Sequence, residues 1–224
     1  MFVKTGELKK IMKSSLKRYG LIVGNDGTHI LAYSDNWGIC VEEAYASNKF
    51  KAAIMELIGD LPEPPEFYRY TYGGDKQLQQ EAVLDPAEPY RQWKAAKDVG
   101  VGAPFFLFAW PHEYAVYQRG SDLEFIAAPR SLTSAISSSE LDTESEHMPG
   151  HPSILGSVLY YKNETMIYWV HTKSPGTKMQ ETFFPQLKGI SFFNDDWLKK
   201  PEENVGTDRE AAAGDEAGEE QLPY

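Results

Sequence analysis

Histidine and carboxylate come close together at two places in the chain and two carboxylates adjoin at a third, and each is a candidate for acid–base or metal chemistry. In Glu146-His147-Met148-Pro149-Gly150-His151 the two histidines are four residues apart, a spacing that suits metal ligation when a helix carries both imidazoles on one face. Pro149-Gly150 breaks such a helix. Two loop histidines beside Asp142, Glu144 and Glu146 are left to gather a cation, and a solvated loop is the plainer reading. His112-Glu113 follows Trp110-Pro111 at a strand turn, and Asp195-Asp196 sits among aromatics. An acid–base pair needs a third group to orient it, and none adjoins in sequence. A metal-assisted hydrolase using His112, His147 or His151 with nearby carboxylates is therefore an alternative reading, with no specific metal site or cofactor indicated.

Other catalytic signatures do not occur. Gly24-Asn25-Asp26-Gly27 and Gly73-Gly74-Asp75-Lys76 are turns, since a phosphate loop needs a longer glycine run ending in Lys-Ser or Lys-Thr at a helix start. No serine lies in a nucleophile elbow. Cys40 falls inside a strand pattern, where a buried inert thiol is expected.

Residues suited to contact are better organised. Lys9, Lys13 and Lys17 recur at helical spacing with Arg18 beside them, while Leu8, Ile11, Met12 and Leu16 occupy another face. Such a helix presents its lysines either to water or to phosphate, and the lack of Trp or Phe on its apolar face argues against a membrane. Tyr68, Tyr70 and Tyr72 alternate with Arg69 on a strand pattern that also holds Glu66. That ladder is cross-strand packing or a platform for stacking bases.

Composition sets the limits. The 224 residues carry a net charge of -11, with 42% hydrophobic and 13% aromatic content, enough for one large core or two small ones. Charge is polarised: residues 1–20 hold six bases against Glu7, whereas residues 201–224 hold eight acids against Arg209. The molecule as a whole should repel nucleic acid, and only its basic helix should attract it. One cysteine excludes an intrachain disulfide and a zinc site built on paired thiolates, as in a reducing compartment. With no signal-like segment and no run of about 18 apolar residues, a cytoplasmic protein is expected. Asn163-Glu164-Thr165 is then a hairpin tip rather than a glycosylation site.

The elements that position these residues follow from periodicity. Thr5 should cap a first helix over residues 7–18. Asn25-Asp26-Gly27 joins strands at 21–23 and 29–33, and Trp37, Ile39 and Val41 mark a third strand with one buried face. Ser47 caps a helix striped by Phe50, Ala53, Ile54, Leu57 and Ile58, and Gly59 and Pro62 end it. A Tyr-rich strand spans 67–72, and a short helix runs over 90–97. Strands at 105–109, 113–118 and 123–127 read as the central sheet, with Phe106 and Trp110 in its core. Residues 130–152 read as a long loop. A hairpin of strands 154–161 and 166–170 follows, burying Tyr168 and Trp169.

The pattern predicts an α+β fold of mostly antiparallel sheet with a few amphipathic helices. It suggests two similar halves, at 1–74 and 75–200, and an acidic, disordered tail at 201–224. Over residues 1–72 the element order, with its lysine-bearing helix, resembles one domain of a DNA sliding clamp, where such helices face the duplex inside an acidic ring. The end of the tail, Gln221-Leu222-Pro223-Tyr224, resembles the tails of bacterial and phage single-strand DNA-binding proteins. Those tails recruit partners and compete with DNA for basic surface; Pro-Tyr stands here where they carry Pro-Phe. The expectation is a non-catalytic accessory protein of nucleic-acid metabolism. It would touch DNA or RNA through Lys9, Lys13, Lys17, Arg18, Tyr68, Tyr70 and Tyr72, and a protein partner through its tail. An acidic mimic of nucleic acid that occupies a partner's basic groove is the second alternative.

Overall fold

The computed structural model describes residues 1–79, 84–137, 141, 150–176, 178–187 and 189–194. Tail residues 201–224, with Gln221 to Tyr224, and also His147, Asp195 and Asp196 lie outside the described residues. The fold is α+β, built on one antiparallel sheet of eleven strands in the order β5-β4-β1-β2-β3-β11-β10-β9-β6-β7-β8.

Helix α1 (Thr5–Arg18) leads into strands β1 (Leu21–Asn25), β2 (His29–Ser34) and β3 (Trp37–Glu42). Thr5 does not cap α1. It is the first helical residue, and Lys4 occupies the cap position without a side-chain hydrogen bond. The chain before α1 is pinned instead by Lys4 N–H to Ala135 O and Ser137 N–H to Phe2 O, 2.7 Å each, around the Val3–Ile136 bridge. The β1–β2 turn forms as its residues dictate. Asn25 Oδ1 accepts from Gly27 N–H at 2.8 Å, and Gly27 takes φ 88°, which glycine tolerates without strain.

Helix α2 (Asn48–Ile58) is capped by Ser47, whose side chain accepts from Phe50 N–H at 3.2 Å. Strands β4 (Phe67–Tyr70) and β5 (Gln77–Leu78) complete one end of the sheet, and α3 (Glu88–Ala95) crosses to its other face. The expected central strands are β6 (Asp98–Ala109), β7 (His112–Arg119) and β8 (Phe125–Pro129), but they form the far end of the sheet. Its middle is the pairing of β3 with β11 (Met166–His171). Two further corrections concern the second half. Residues 130–133 form a short helix, α4 (Arg130–Thr133), because Leu132, Thr133 and Ala135 bury themselves against the sheet. The strand expected at 154–161 is two strands, β9 (Ser153–Leu155) and β10 (Val158–Asn163), reversed at Gly156 with φ 58°.

Outward from the β3–β11 junction the order is symmetrical. Meander β1-β2-β3 on one side answers β9-β10-β11 on the other, and a helix, α1 or α4, precedes each. The sheet thus runs unbroken across the boundary expected between residues 74 and 75.

Period-two alternation sorts the strands' side chains between two layers. Ile30, Ala32, Trp37, Ile39 and Val41 pack under α1 and α2 with Leu8, Met12, Phe50 and Ile54. Leu31, Cys40, Ile167 and Trp169 face the opposite way, against Tyr90 and Trp93 of α3. Strand β3 is therefore buried on both faces rather than one, and Cys40, buried as its strand setting predicts, lies under α3. Gly38 is required there: a Cβ would collide with the indole of its cross-strand partner Trp169. A third cluster, Leu107, Tyr114, Val116 and Ala127, is covered by Phe183 and Phe184.

Candidate nucleic-acid interface

Helices α1 and α2 lie side by side on one face of the sheet and share its core. Between them they carry seven bases (five on α1, two on α2) against two acids, Glu7 and Glu56. Their apolar stripes turn inward, so the bases are forced outward, and Lys10, Lys13, Lys17 and Arg18 are all exposed. Lys9 is the exception in kind: half-buried between the helices, it is ion-paired with Glu56. Lys10 pairs with Glu7 at 2.8 Å along α1. A formal +5 on two adjoining helices stands out in a chain of net charge -11.

Lys13 and Lys17 border a cleft of about 570 Å³ that also takes in Tyr70, Tyr72, Glu56 and Lys76. The end of β4 is tied to α1 there by Tyr72 N–H donating to Leu16 O at 3.1 Å. The three tyrosines differ in role. Tyr70 is buried, and burial pushes its phenol above the ordinary value of 10.0. Tyr68 is half-buried, 6.2 Å from Tyr70 ring to ring, with the Lys76 ammonium 4.4 Å above its own ring. Tyr72 is 72% exposed, and Lys17 sits 5.5 Å from its ring centre. The structure thus brings Lys13 and Lys17 together with Tyr72, and adds Lys76, which the strand pattern did not single out.

Arg18 belongs elsewhere. It lines a second cleft, about 310 Å³, on the opposite flank of α1, with Lys10, Ser14, His112, Ser131 and Lys173. A one-residue step along a helix turns the side chain by about 100°, which is why neighbours Lys17 and Arg18 open on different clefts.

Among the described residues the acid–base candidates are not brought together. Glu113 is held by Arg130 at 2.7 Å, while the His112 ring lies 6.4 Å from that of Tyr114. His151 is half-buried, and burial pulls its imidazole below the ordinary 6.5. In the first hairpin His29 Nδ1 lies 3.3 Å from Asp26 Oδ2, a turn contact with no third group drawn in. Cys40 is buried with its thiol pushed up to about 12, chiefly by burial. Among the described residues no three His, Cys, Asp or Glu side chains gather into a metal-binding group. No described helix is long and apolar enough to cross a membrane.

Sequence reasoning missed an exposed aromatic group. Phe106 and Trp110 were expected inside, yet they are 56% and 85% exposed, with Phe108 between them 58% exposed, whereas Tyr168 and Trp169 are buried as expected. In an unbroken run such as Phe105-Phe106-Leu107-Phe108 both strand faces are apolar, so the pattern does not tell which face is covered.

No family model matches this chain, and no curated protein does at a significant level. Among solved structures it is similar to the beta clamp of Helicobacter pylori bound to a DNA ligase peptide, with 11% identity and a TM-score of 0.29. That match covers 79% of this chain and 68% of the other. At such a score the two folds share too little for a site or a function to pass from one to the other.

Proposed function

We propose that this protein is a non-catalytic accessory factor of nucleic-acid metabolism that holds phosphate backbones on the α1–α2 face. The observation that carries this reading is the charge on those helices, seven bases to two acids, with Lys13, Lys17 and Lys76 set around one cleft. The acidic remainder of the chain favours encounter at basic surface such as this face, since a polyanion is repelled by acidic surface. Phosphate contacts of this kind position a nucleic acid without reading its sequence. A cytoplasmic setting suits the protein, because its lone thiol is buried and unpaired with another.

Salt dependence tests the reading. Binding of DNA to the full chain should weaken as salt rises, and the triple variant Lys13→Ala, Lys17→Ala, Lys76→Ala should lower the log–log slope by roughly 2 to 3, one counterion set per lost contact. Absence of DNA and RNA binding at low salt would sink the proposal.

A further inference from the structure

The β6–β7 hairpin carries three exposed rings near one end, and a cation lies over one of them. Phe106 and Phe108 share a face of β6, and Trp110 begins the turn, its ring 6.1 Å from that of Phe108. The Arg130 guanidinium lies 3.7 Å over the Phe106 ring while ion-paired with Glu113. That pairing fixes a flat cation on a flat ring, so the platform exists before any ligand arrives.

A cleft of about 400 Å³ opens beside these rings, bounded by Pro111, His112, Glu113 and Arg130. It shares His112, Pro129, Ser131 and Ser134 with the cleft that holds Arg18 and Lys173. The two adjoin along the flank of α1 and end at Arg130, which covers the Phe106 ring, and at Pro111, next in chain to Trp110. The acids that line these clefts, Glu7 and Glu113, are paired with Lys10 and Arg130, and no ion pair among the described residues engages Arg18 or Lys173.

We infer that these adjoining clefts bind single-stranded nucleic acid, with phosphates on Arg18 and Lys173 and unstacked bases on Arg130 over Phe106, on Phe108 and on Trp110. The inference rests on the nucleic-acid reading above and narrows it to single strands at this second surface. Spacing selects the strand. Residues two apart on a β-strand are roughly 7 Å apart, about twice the 3.4 Å step between stacked bases of a duplex. Successive bases therefore meet Phe106 and Phe108 together only when the strand is extended and unstacked. A duplex keeps its ring faces inside and has nothing to lay on these side chains.

The test uses the full chain at low salt with a labelled thymidine oligonucleotide of about 20 residues and a duplex of similar length. Phe108→Ala with Trp110→Ala should weaken oligonucleotide binding about tenfold or more, the usual loss for a stacking ring, and leave duplex binding unchanged. Oligonucleotide should also quench tryptophan fluorescence in the wild type, and much less in Trp110→Phe. Unchanged oligonucleotide affinity in the double variant overturns the inference. If Lys13→Ala with Lys17→Ala then weakens both ligands, the α1–α2 reading stands alone. Should the wild type bind neither ligand, both readings fall together. A double variant that changes the sedimenting mass but not oligonucleotide affinity would mark the rings as a contact between copies of this chain, which also overturns it.

Discussion

The indole N–H of Trp37 donates to the hydroxyl of Ser15 at 2.8 Å, and both side chains are buried. One bond thus fastens the inner face of the basic helix α1 to β3 at the middle of the sheet. The other half has a counterpart: Tyr168, 6.2 Å from Trp37 ring to ring, donates its phenolic hydrogen to Leu132 O of α4 at 2.9 Å. Both helices are held at a set depth by a polar atom at the end of a large ring, and the outward aim of Lys13 and Lys17 depends on it.

Ser15→Ala should therefore cost about 1 to 3 kcal/mol, because it leaves a buried indole N–H without an acceptor. Urea unfolding measures it. In a double-mutant cycle with Trp37→Phe the serine effect should shrink, since the donor is then gone; full additivity would show that the bond contributes nothing.

Aromatic truncations should separate into two classes. Tyr168→Ala and Trp169→Ala remove buried rings and should each cost about 3 to 5 kcal/mol. Trp110→Ala and Phe108→Ala remove exposed ones and should stay within about 0.5 kcal/mol. Comparable losses at Trp110 and Trp169 would contradict the exposed hairpin face.

Gly38→Ala is predicted to destabilise by about 1 to 3 kcal/mol, the usual cost of overpacking, because the new methyl meets the Trp169 indole. Trp169→Leu in the same chain should recover part of that loss. Equal penalties with and without the indole would mean that the collision is not the cause.

Cys40 should resist thiol reagents at pH 8 in the folded protein and react once urea is added. Its folded pKa, about 12, lies above the ordinary 9.0, so its contribution to stability is complete below about pH 9 and is lost as pH rises toward 12. The buried phenols of Tyr161 and Tyr168 are raised as well and act in the same sense. At the acid end the sign reverses. Burial lowers His151 and His171 from 6.5, so the folded state binds their protons less readily and loses stability as pH falls below about 6.5. A pH series of unfolding midpoints that stayed flat across both windows would refute this account.

Features set by neighbours in sequence were legible from the chain alone. The Asn25-Asp26-Gly27 turn and the Ser47 cap each close a hydrogen bond within three residues, and the α1 stripe of Leu8, Ile11 and Met12 follows from helical periodicity. Local geometry decides such things before any tertiary contact forms. Periodicity also states which side chains share a face, but not what covers it. That Cys40 lies under α3 was decided by partners 46 or more residues away. Lys17 meets Tyr72 across 55 residues of chain, and Phe106 and Trp110 stay exposed, with the Arg130 guanidinium rather than an apolar layer over the Phe106 ring. Burial is a property of the whole packing, in which an apolar run goes inside only if the chain supplies a second surface for it. For the same reason the charge of each lysine was evident from its place in the sequence, while the cleft it helps to form belongs to the folded molecule.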